Sequence, residues 1–202
     1  GPAEPLHPDL PDRDVERLNK EVPLPLNLEM AMTEEMLAIA LKIKPHAVCL
    51  VPEKREELTT EGGLDAVKLE KELTPFVKKL QGGGMRVSLF IAPDKKQIEA
   101  AKRTGARAVE MHTGHYCHLS GRMREKELLR IAEAATLARG LGMEVHAGHG
   151  LTYDNVAPIA ALPDIVELNI GHFLMGEAVF VGMKEAVQRM RRIMNDARTG
   201  DS

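Results

Sequence analysis

Short apolar runs alternate with longer amphipathic stretches from Leu24 onward, and this alternation restricts the possible folds more than any other feature of the sequence. Runs of strand length followed by stretches of helix length are typical of βα units in a parallel sheet. The predicted strands are residues 24–29, 46–51, 86–91, 106–110, 143–147 and 165–169. The predicted helices are residues 33–43, 65–80, 94–103, 125–141, 153–161 and 179–195. We therefore expect an α/β fold with six βα units.

The length and composition of the chain favour one domain. With 202 residues, 44% of them hydrophobic and 3% aromatic, the chain can fill one core of helices packed on a buried parallel sheet. Residues 1–23 differ from the remainder because they are rich in Pro and in charge, and only residues 12–20 resemble a short helix. The opening Gly1-Pro2 pair is also what cleavage of a tag can leave. We expect residues 1–202 to form a single domain, with residues 1–23 as an atypical or tag-derived segment.

Charge and cysteine content disfavour several classes of partner. The formal net charge of −3 provides no overall field that attracts nucleic acid or an anionic membrane, so we expect neither as a partner. No apolar run approaches the roughly 18 residues of a membrane span, and the N-terminus lacks a signal-peptide pattern. Cys49 and Cys117 are the only cysteines, which fits reduced thiols. The sequence predicts a cytoplasmic protein that acts on small molecules.

Polar and ionisable residues recur at the carboxyl ends of the predicted strands. In a parallel α/β fold these ends share one face, and that face carries the active site. Glu29 and Glu110 end two strands and His149 follows a third, which brings together groups for proton transfer if burial or neighbours raise the carboxyl pKa values. Most histidines lie at or just after such ends: His112, His115, His118, His146, His149 and His172.

Three glycines in the last two strand-end segments indicate a phosphate site. Gly148, Gly150 and Gly171 allow backbone N–H groups to approach a ligand closely, and the start of a following helix favours an anion. In many barrels the loops after the last two strands hold phosphate. No dinucleotide or nucleoside-triphosphate glycine motif follows a predicted strand, so the expected ligand is a small phosphorylated molecule.

Two less specific interpretations stay open for these residues. In the first, Glu29 has no catalytic role and only forms an ion pair with a Lys or Arg across the strand ends. The segment HTGHYCH at 112–118 carries imidazole and thiol groups that can bind zinc, although its spacing matches no common closed zinc site. No metal is therefore assigned, and a zinc-dependent hydrolase is kept as an alternative function.

Seven motifs, in this order, resemble the pyridoxine 5′-phosphate synthase family over about residues 12–198. They are LNLEMA at 26–31, VPEKR at 51–55, TTEGG at 59–63, VSLFI at 87–91, HTG at 112–114, AGHGLT at 147–152 and ELNIGH at 167–172. The resemblance implies a TIM-type (β/α)₈ barrel, of which six βα units are visible in this chain. It also implies a homo-oligomer.

The resemblance further implies an activity and roles for individual residues. The family joins 1-deoxy-D-xylulose 5-phosphate to 3-amino-2-oxopropyl phosphate, releases phosphate and water as pyridoxine 5′-phosphate forms, and needs no organic cofactor. By this resemblance Glu29 is a general base, Glu110 stabilises charged intermediates and His149 donates a proton. Thr59 contacts the deoxyxylulose phosphate. The phosphate of the amino-ketone is held by three residues: Gly150, Gly171 and His172.

The chain departs from the family's pattern in two places. His146 stands where the family usually has Asn, close to His149. The family's first two strands, which carry a catalytic His and several Arg residues, have no counterpart in this sequence. Three explanations stay open: residues that the sequence omits, a partner chain that fills the gap, or a shortened relative with altered function. The alternative to a synthase is therefore a truncated, catalytically impaired module of the same fold that binds phosphate ligands or assembles with partners.

Overall fold

The computed structural model describes residues 12–200, so residues 1–11 of the atypical N-terminal segment lie outside the described residues. Six strands form one parallel sheet, in which each strand pairs with the next in sequence order. The strands are β1 (Asn27–Met30), β2 (Ala47–Leu50), β3 (Arg86–Ile91), β4 (Ala108–His112), β5 (Glu144–Gly148) and β6 (Ile165–Asn169).

All six predicted strands are confirmed, with shifted ends in some of them. β1 begins at Asn27 instead of residue 24, because Pro25 has no backbone N–H to donate to a neighbouring strand. β4 continues past Glu110 to His112, so both side chains lie on the strand itself. The predicted α/β class with six βα units is therefore correct for the described residues.

Helices follow the strands, but their number exceeds the prediction. They are α1 (Asp12–Glu21), α2 (Glu34–Ile43), α3 (Glu70–Gly82), α4 (Lys95–Thr104), α5 (Gly114–His118), α6 (Gly121–Gly140), α7 (Val156–Ala160), α8 (His172–Val181) and α9 (Met183–Thr199). The predicted helix 179–195 is confirmed over residues 183–195, which lie in α9, but its start is wrong, since Gly182 with a φ of 84° separates α9 from α8. The short α5 was not predicted.

Local capping explains where two of the predicted helices begin. The Thr33 side chain accepts a hydrogen bond from the Met36 backbone N–H at 3.2 Å, which confirms a helix start at this position. The Asp94 carboxylate accepts from the backbone N–H groups of Lys96 and Gln97 at 2.9 and 3.1 Å. Each cap directs the chain from the end of a strand into the helix that covers the sheet.

The two faces of the sheet differ in polarity. Alternate residues of the strands are buried and apolar and pack against the helices, and they form the main core: Val48, Leu50, Val87, Leu89, Ile91, Val109, Met111 and Val145. The intervening residues of the same strands are largely polar and face the other side. They are Asn27, Glu29, Cys49, Arg86, Ser88, Glu110, His146, Glu167 and Asn169. We call this second side the inner face.

The sheet curls around its inner face. Asn27 of β1 donates a hydrogen bond to Glu167 of β6 at 3.3 Å, although these strands are at opposite edges of the sheet. Arg86 of β3 contacts Glu144 of β5 at 2.9 Å and the same Glu167 at 3.0 Å. The described strands therefore form a curled half-barrel, similar to a TIM barrel but with six strands and two unpaired edges. Among residues 12–200, no helix is both long and apolar enough to cross a membrane.

Candidate active site

The predicted site residues of the strands and their following turns lie at one end of the half-barrel. Glu29 and Glu110 are on β1 and β4, and His149 follows β5 directly. Gly171 and His172 follow β6, which pairs with β5 through Gly148 and Asn169. Because all strands are parallel, these groups are at the carboxyl ends of the strands. Thr59 belongs to the connection between β2 and α3.

Glu110 is the most buried carboxyl group of the inner face, with 4% of its surface exposed. Its carboxylate accepts hydrogen bonds from Asn169 Nδ2 at 2.9 Å and from the Cys49 thiol at 3.5 Å. Burial raises the pKa of Glu110 to about 7, the negative charge of Glu29 adds to this effect, and the Asn169 hydrogen bond opposes it. Glu110 can therefore hold or release a proton near neutral pH.

Glu29 shares the interior with Glu110 but is open to solvent. Glu29 on β1 is paired in register with Cys49 on β2. The Cys49 thiol donates its hydrogen bond to Glu110 on β4. Burial raises the pKa of the Cys49 thiol well above its ordinary value, and the charge of Glu110 adds to the effect. Cys49 therefore stays a neutral hydrogen-bond donor, and Glu29 is the more accessible of the two carboxyl groups.

His112 and His149 form an aromatic cluster with Phe90 above Glu110's strand. The rings of Phe90 and His112 stack with centroids 4.9 Å apart, and the His112 and His149 rings are 4.8 Å apart. Burial lowers the pKa of His112 to about 4, and the neighbouring His149 lowers it further. His112 Nδ1 accepts from the Gly114 backbone N–H at 2.9 Å. The His112 ring is therefore neutral, with its Nε2 carrying the hydrogen.

The backbone around His149 is held in an unusual conformation. His149 has a φ of 84°, in the left-handed region that only a minority of non-glycine residues adopt. Thr113 fixes this turn, because its hydroxyl oxygen lies 2.7 Å from the carbonyl oxygens of both Gly148 and His149. Strain of this kind persists only where the surroundings enforce it, and it often marks functional sites.

Gly148 is required by the close approach of two site residues. A Cβ atom at this position would lie 2.6 Å from Glu110 Oε1 and 2.6 Å from the Asn169 carbonyl oxygen. Any side chain at residue 148 would therefore displace the Glu110 carboxylate from its hydrogen bonds. Gly150 has a φ of 82° and lies beside Cys117, so it also favours glycine on conformational grounds.

The connection that carries Thr59 lies against the same end of the half-barrel. The Thr59 hydroxyl donates to the Gly62 carbonyl at 2.7 Å, and a Cβ atom on Gly62 would be 2.8 Å from His112 Nε2. The connection therefore contacts the histidine cluster directly. A pocket of about 420 Å³ opens there and is lined by Thr60, Glu61, His112, Gly114, His115, His118, Arg130 and His149.

The segment after β6 provides a helix start for an anion. Gly171 precedes α8, His172 is its first residue, and both are exposed. The first backbone N–H groups of a helix have no partner within the helix and point outward, which favours an anionic ligand. Gly150 follows the neighbouring strand, so the two glycine turns are adjacent at the strand ends.

The geometry of the 112–118 segment gives no support to the zinc interpretation. The histidine and cysteine side chains of this segment do not bring three ligand atoms together. Within residues 12–200, possible metal ligands converge instead near the amino ends of the strands, at Glu144, His146 and Glu167. Arg86 already lies between those two carboxylates, so its charge competes with a cation. His146 Nε2 is 2.8 Å from Glu144 and does not support His149. The His146 side chain thus belongs to the charged group at the amino ends of the strands.

Sequence reasoning missed several contributors to the site. Cys49 was interpreted only as a reduced thiol, and Phe90 and Asn169 received no role. The period-two alternation of the strands could have found them, because it puts these three side chains on the same face as Glu110. His112 was noted but not assigned, since its low pKa depends on burial that the sequence does not display.

The fold and the site together define a TIM-like α/β protein with proton-transfer groups beside two glycine turns. A solved 4-hydroxy-2-oxoglutarate aldolase/2-deydro-3-deoxyphosphogluconate aldolase from TTHB1 is similar in fold, with a TM-score of 0.56 at 14% identity over 91% of this chain and 78% of that one. A xylose isomerase domain protein from Planctomyces limnophilus gives 0.53 at 15% identity, over 84% and 71%. At such identities the likeness concerns the fold alone.

Sequence comparison specifies the family. Residues 8–196 match the model described as pyridoxal phosphate biosynthesis protein PdxJ, and the chain belongs to this family. It is 60% identical to the pyridoxine 5′-phosphate synthase of Zymomonas mobilis over 94% of its own length and 74% of that protein. It is also 60% identical to the synthase of Rhodospirillum rubrum, over 94% and 76%. The resemblance inferred from the motifs is thereby confirmed.

Proposed function

We propose that this chain is an enzyme with pyridoxine 5′-phosphate synthase activity. It condenses 1-deoxy-D-xylulose 5-phosphate with 3-amino-2-oxopropyl phosphate and releases phosphate and water. The observation that carries the proposal is Glu110, a buried carboxyl group with a pKa of about 7 at the strand ends of a chain 60% identical to enzymes of that name. Ring closure needs several proton transfers, and a group that titrates near neutral pH can take part in them.

The geometry supports different roles for the three proton-transfer groups. Glu29 is exposed on the inner face, and its negative charge acts on Glu110. This position suits a general base that reaches the substrate from the inner face. Glu110 is buried beside neutral partners, which suits stabilisation of a cationic intermediate when it is ionised. His149 is exposed on a rigid turn beside His112, which suits a proton donor at the open end.

The phosphate groups of the substrates have two separate locations in this proposal. Gly150, Gly171 and His172 hold the phosphate of the amino-ketone, because two glycine turns and a helix start are adjacent there. Thr59 contacts the deoxyxylulose phosphate from the β2–α3 connection, on the other side of the histidine cluster. The reacting carbonyl and amine would then meet above Glu110. No metal and no organic cofactor enters this scheme.

We also propose that the half-barrel is of the TIM (β/α)₈ type, with six of the βα units visible in this chain, and that the chain forms a single domain that works in the cytoplasm as a homo-oligomer. Two unpaired edges and a polar inner face are what an eight-stranded barrel with two strands removed leaves. Helix α8 exposes Val179 by 81% and Phe180 by 86%, an apolar surface that fits burial against a second copy. Sedimentation of the wild-type chain and of a Phe180→Ser variant tests the oligomer, which the variant should weaken.

A product assay on protein of verified mass tests the function. Both phosphorylated substrates are supplied, and pyridoxine 5′-phosphate and inorganic phosphate are measured together. Equal amounts of the two products are expected. Binding of phosphate or substrate without turnover would instead support the impaired binding module, and the proposed activity of this chain would be wrong.

A further inference from the structure

The β2–α3 connection is fixed at its base by hydrogen bonds to β3 and α4. The Leu64 backbone N–H donates to the Phe90 carbonyl at 2.7 Å, and the Ala66 backbone N–H donates to the Gln97 side chain at 2.7 Å. Gly63 has a φ of 82° and packs closely on β3. A Cβ atom at Gly63 would lie within 3.1 Å of the backbone atoms of Ile91 and Ala92. The base of the connection is therefore immobilised on the sheet.

The tip of the same connection is a tight turn that contains Thr59. The Thr59 backbone N–H donates to the Gly63 carbonyl at 3.1 Å, and the Gly62 backbone N–H donates to the Thr59 carbonyl at 3.2 Å. These bonds fix the shape of the turn but not its position over the site. Glu61, between Thr59 and Gly62 in the turn, contacts another element and can fix that position.

Arg130 of α6 holds Glu61 by an ion pair. Its Nη2 lies 2.5 Å from Glu61 Oε2, and its Nη1 lies 3.1 Å from Glu127 Oε1 on the same helix. Glu127 is buried, with 9% of its side chain exposed, whereas the Glu61 side chain is 47% exposed. The buried carboxylate therefore orients the guanidinium, and the second arm of the guanidinium is directed at the turn.

We propose that Arg130 is a positioning residue of this enzyme, which holds the Thr59 turn against His112 through Glu61. Without the pair, the turn is free to move away from the histidine cluster, and its internal hydrogen bonds, which α6 then no longer supports, open to solvent more often. Thr59 then meets the deoxyxylulose phosphate less often in the correct place. The role in substrate binding rests on the proposed function, whereas the effect on the turn does not.

Glu61→Gln, Arg130→Gln and the double variant test the proposal by a double-mutant cycle. Hydrogen exchange of the Thr59 and Gly62 amides should become about fivefold faster in each single variant, as for loss of a partly exposed ion pair. The double variant should exchange no faster than Arg130→Gln. Arg139→Gln is the matched control, because Arg139 lies on α6 and pairs with Asp164, away from the turn; its exchange in the turn should match wild type.

Kinetics then separate positioning from general stability. We expect KM for the deoxyxylulose phosphate to rise about fivefold in Glu61→Gln, with kcat changed by less than about twofold. Unchanged exchange in both single variants, or additive effects in the cycle, would overturn the proposal. If wild-type protein forms no product, the proposed function is wrong, and the exchange data still decide whether Arg130 holds the turn.

Discussion

The two ends of the half-barrel interior are both rich in ionisable groups but differ in how the charges are partnered. Near the amino ends of the strands, Arg86 lies within 3.0 Å of both Glu144 and Glu167, and His146 lies 2.8 Å from Glu144. We call these four residues the floor cluster. Nearer the carboxyl ends, Glu110 contacts only neutral partners in the described structure, an amide and a thiol.

This difference separates groups that stabilise the fold from groups that can do chemistry. In the floor cluster Arg86 compensates the two carboxylates, and the pKa of Glu144 is lowered by its hydrogen bond with His146 and by the charge of Arg86. At Glu110 burial is not compensated by a cation, so the pKa rises to about 7 and the charge can change during a reaction. The comparison predicts that substitutions at the two ends affect different measurements.

The largest effect is expected for Glu110→Gln. The amide keeps the volume and polarity of the side chain but cannot become charged, so kcat should fall by about 10³-fold, within the range for lost acid–base or charge stabilisation. Urea unfolding should show a protein that is folded and not less stable at pH 7. Steady-state rates with both substrates check the prediction.

Glu144→Gln is the matched control for this substitution. It makes the same chemical change in the floor cluster, where the Glu144 side chain is 42% exposed and paired with Arg86. Its kcat should stay within about twofold of wild type. A kcat loss in Glu144→Gln as large as in Glu110→Gln would remove the distinction between the two ends.

The second effect is a pH dependence of stability that Glu110 contributes. Its pKa is about 7 in the folded chain against an ordinary 4.5, so the folded state binds the proton more tightly. The free energy of unfolding should therefore fall as pH rises from 4.5 to 7, by about 3 kcal/mol at about 1.4 kcal/mol per pKa unit. Urea unfolding of wild type and Glu110→Gln across this window isolates the contribution, because only wild type has it.

His112 gives the opposite slope in nearly the same window. Its pKa is lowered from 6.5 to about 4, so the unfolded state binds the proton more tightly and stability rises with pH between these values. In the wild-type chain the two contributions oppose each other. Glu110→Gln should therefore gain stability with rising pH more steeply than wild type, and a wild-type curve parallel to that of the variant would contradict the raised pKa.

The strands and the face that carries the chemistry could be predicted from the sequence, whereas the partners of each group could not. Short apolar runs of strand length identify all six strands, and parallel strands bring Glu29, Glu110 and His149 to the same end. The contact between Glu110 and Asn169 joins residues 59 positions apart and depends on the curl of the sheet. The break between α8 and α9 was also missed, because apolar residues continue through Gly182 on both sides.

A third prediction concerns the floor cluster itself. Arg86→Met removes the only guanidinium between Glu144 and Glu167 in the described structure and leaves two carboxylates close together on the inner face. Since the Arg86 side chain is 22% exposed, we expect a loss of about 2 kcal/mol in the free energy of unfolding, less than for a fully buried pair. Urea unfolding at pH 7 measures it.

The control for Arg86→Met is Arg103→Met. Arg103 forms a comparable two-pronged pair with Glu70, but on the surface between α3 and α4. Its removal should cost much less stability, because water solvates the remaining carboxylate. Equal losses in the two variants would mean that the floor cluster contributes no more than an ordinary surface pair.

The smallest effect is expected at the rim of the site, for His172→Ala. His172 is exposed at the start of α8, so it can contribute one hydrogen bond to a phosphate that the backbone N–H groups already hold. KM for the amino-ketone phosphate should rise about tenfold, which corresponds to about 1.4 kcal/mol, while KM for the deoxyxylulose phosphate changes little. His46→Ala is the control, since His46 is also exposed but precedes β2 at the floor end. The decisive result is a rise of KM for one substrate only, because a general change in α8 would raise both KM values. A rise of both would mean that His172 does not belong to the proposed phosphate site.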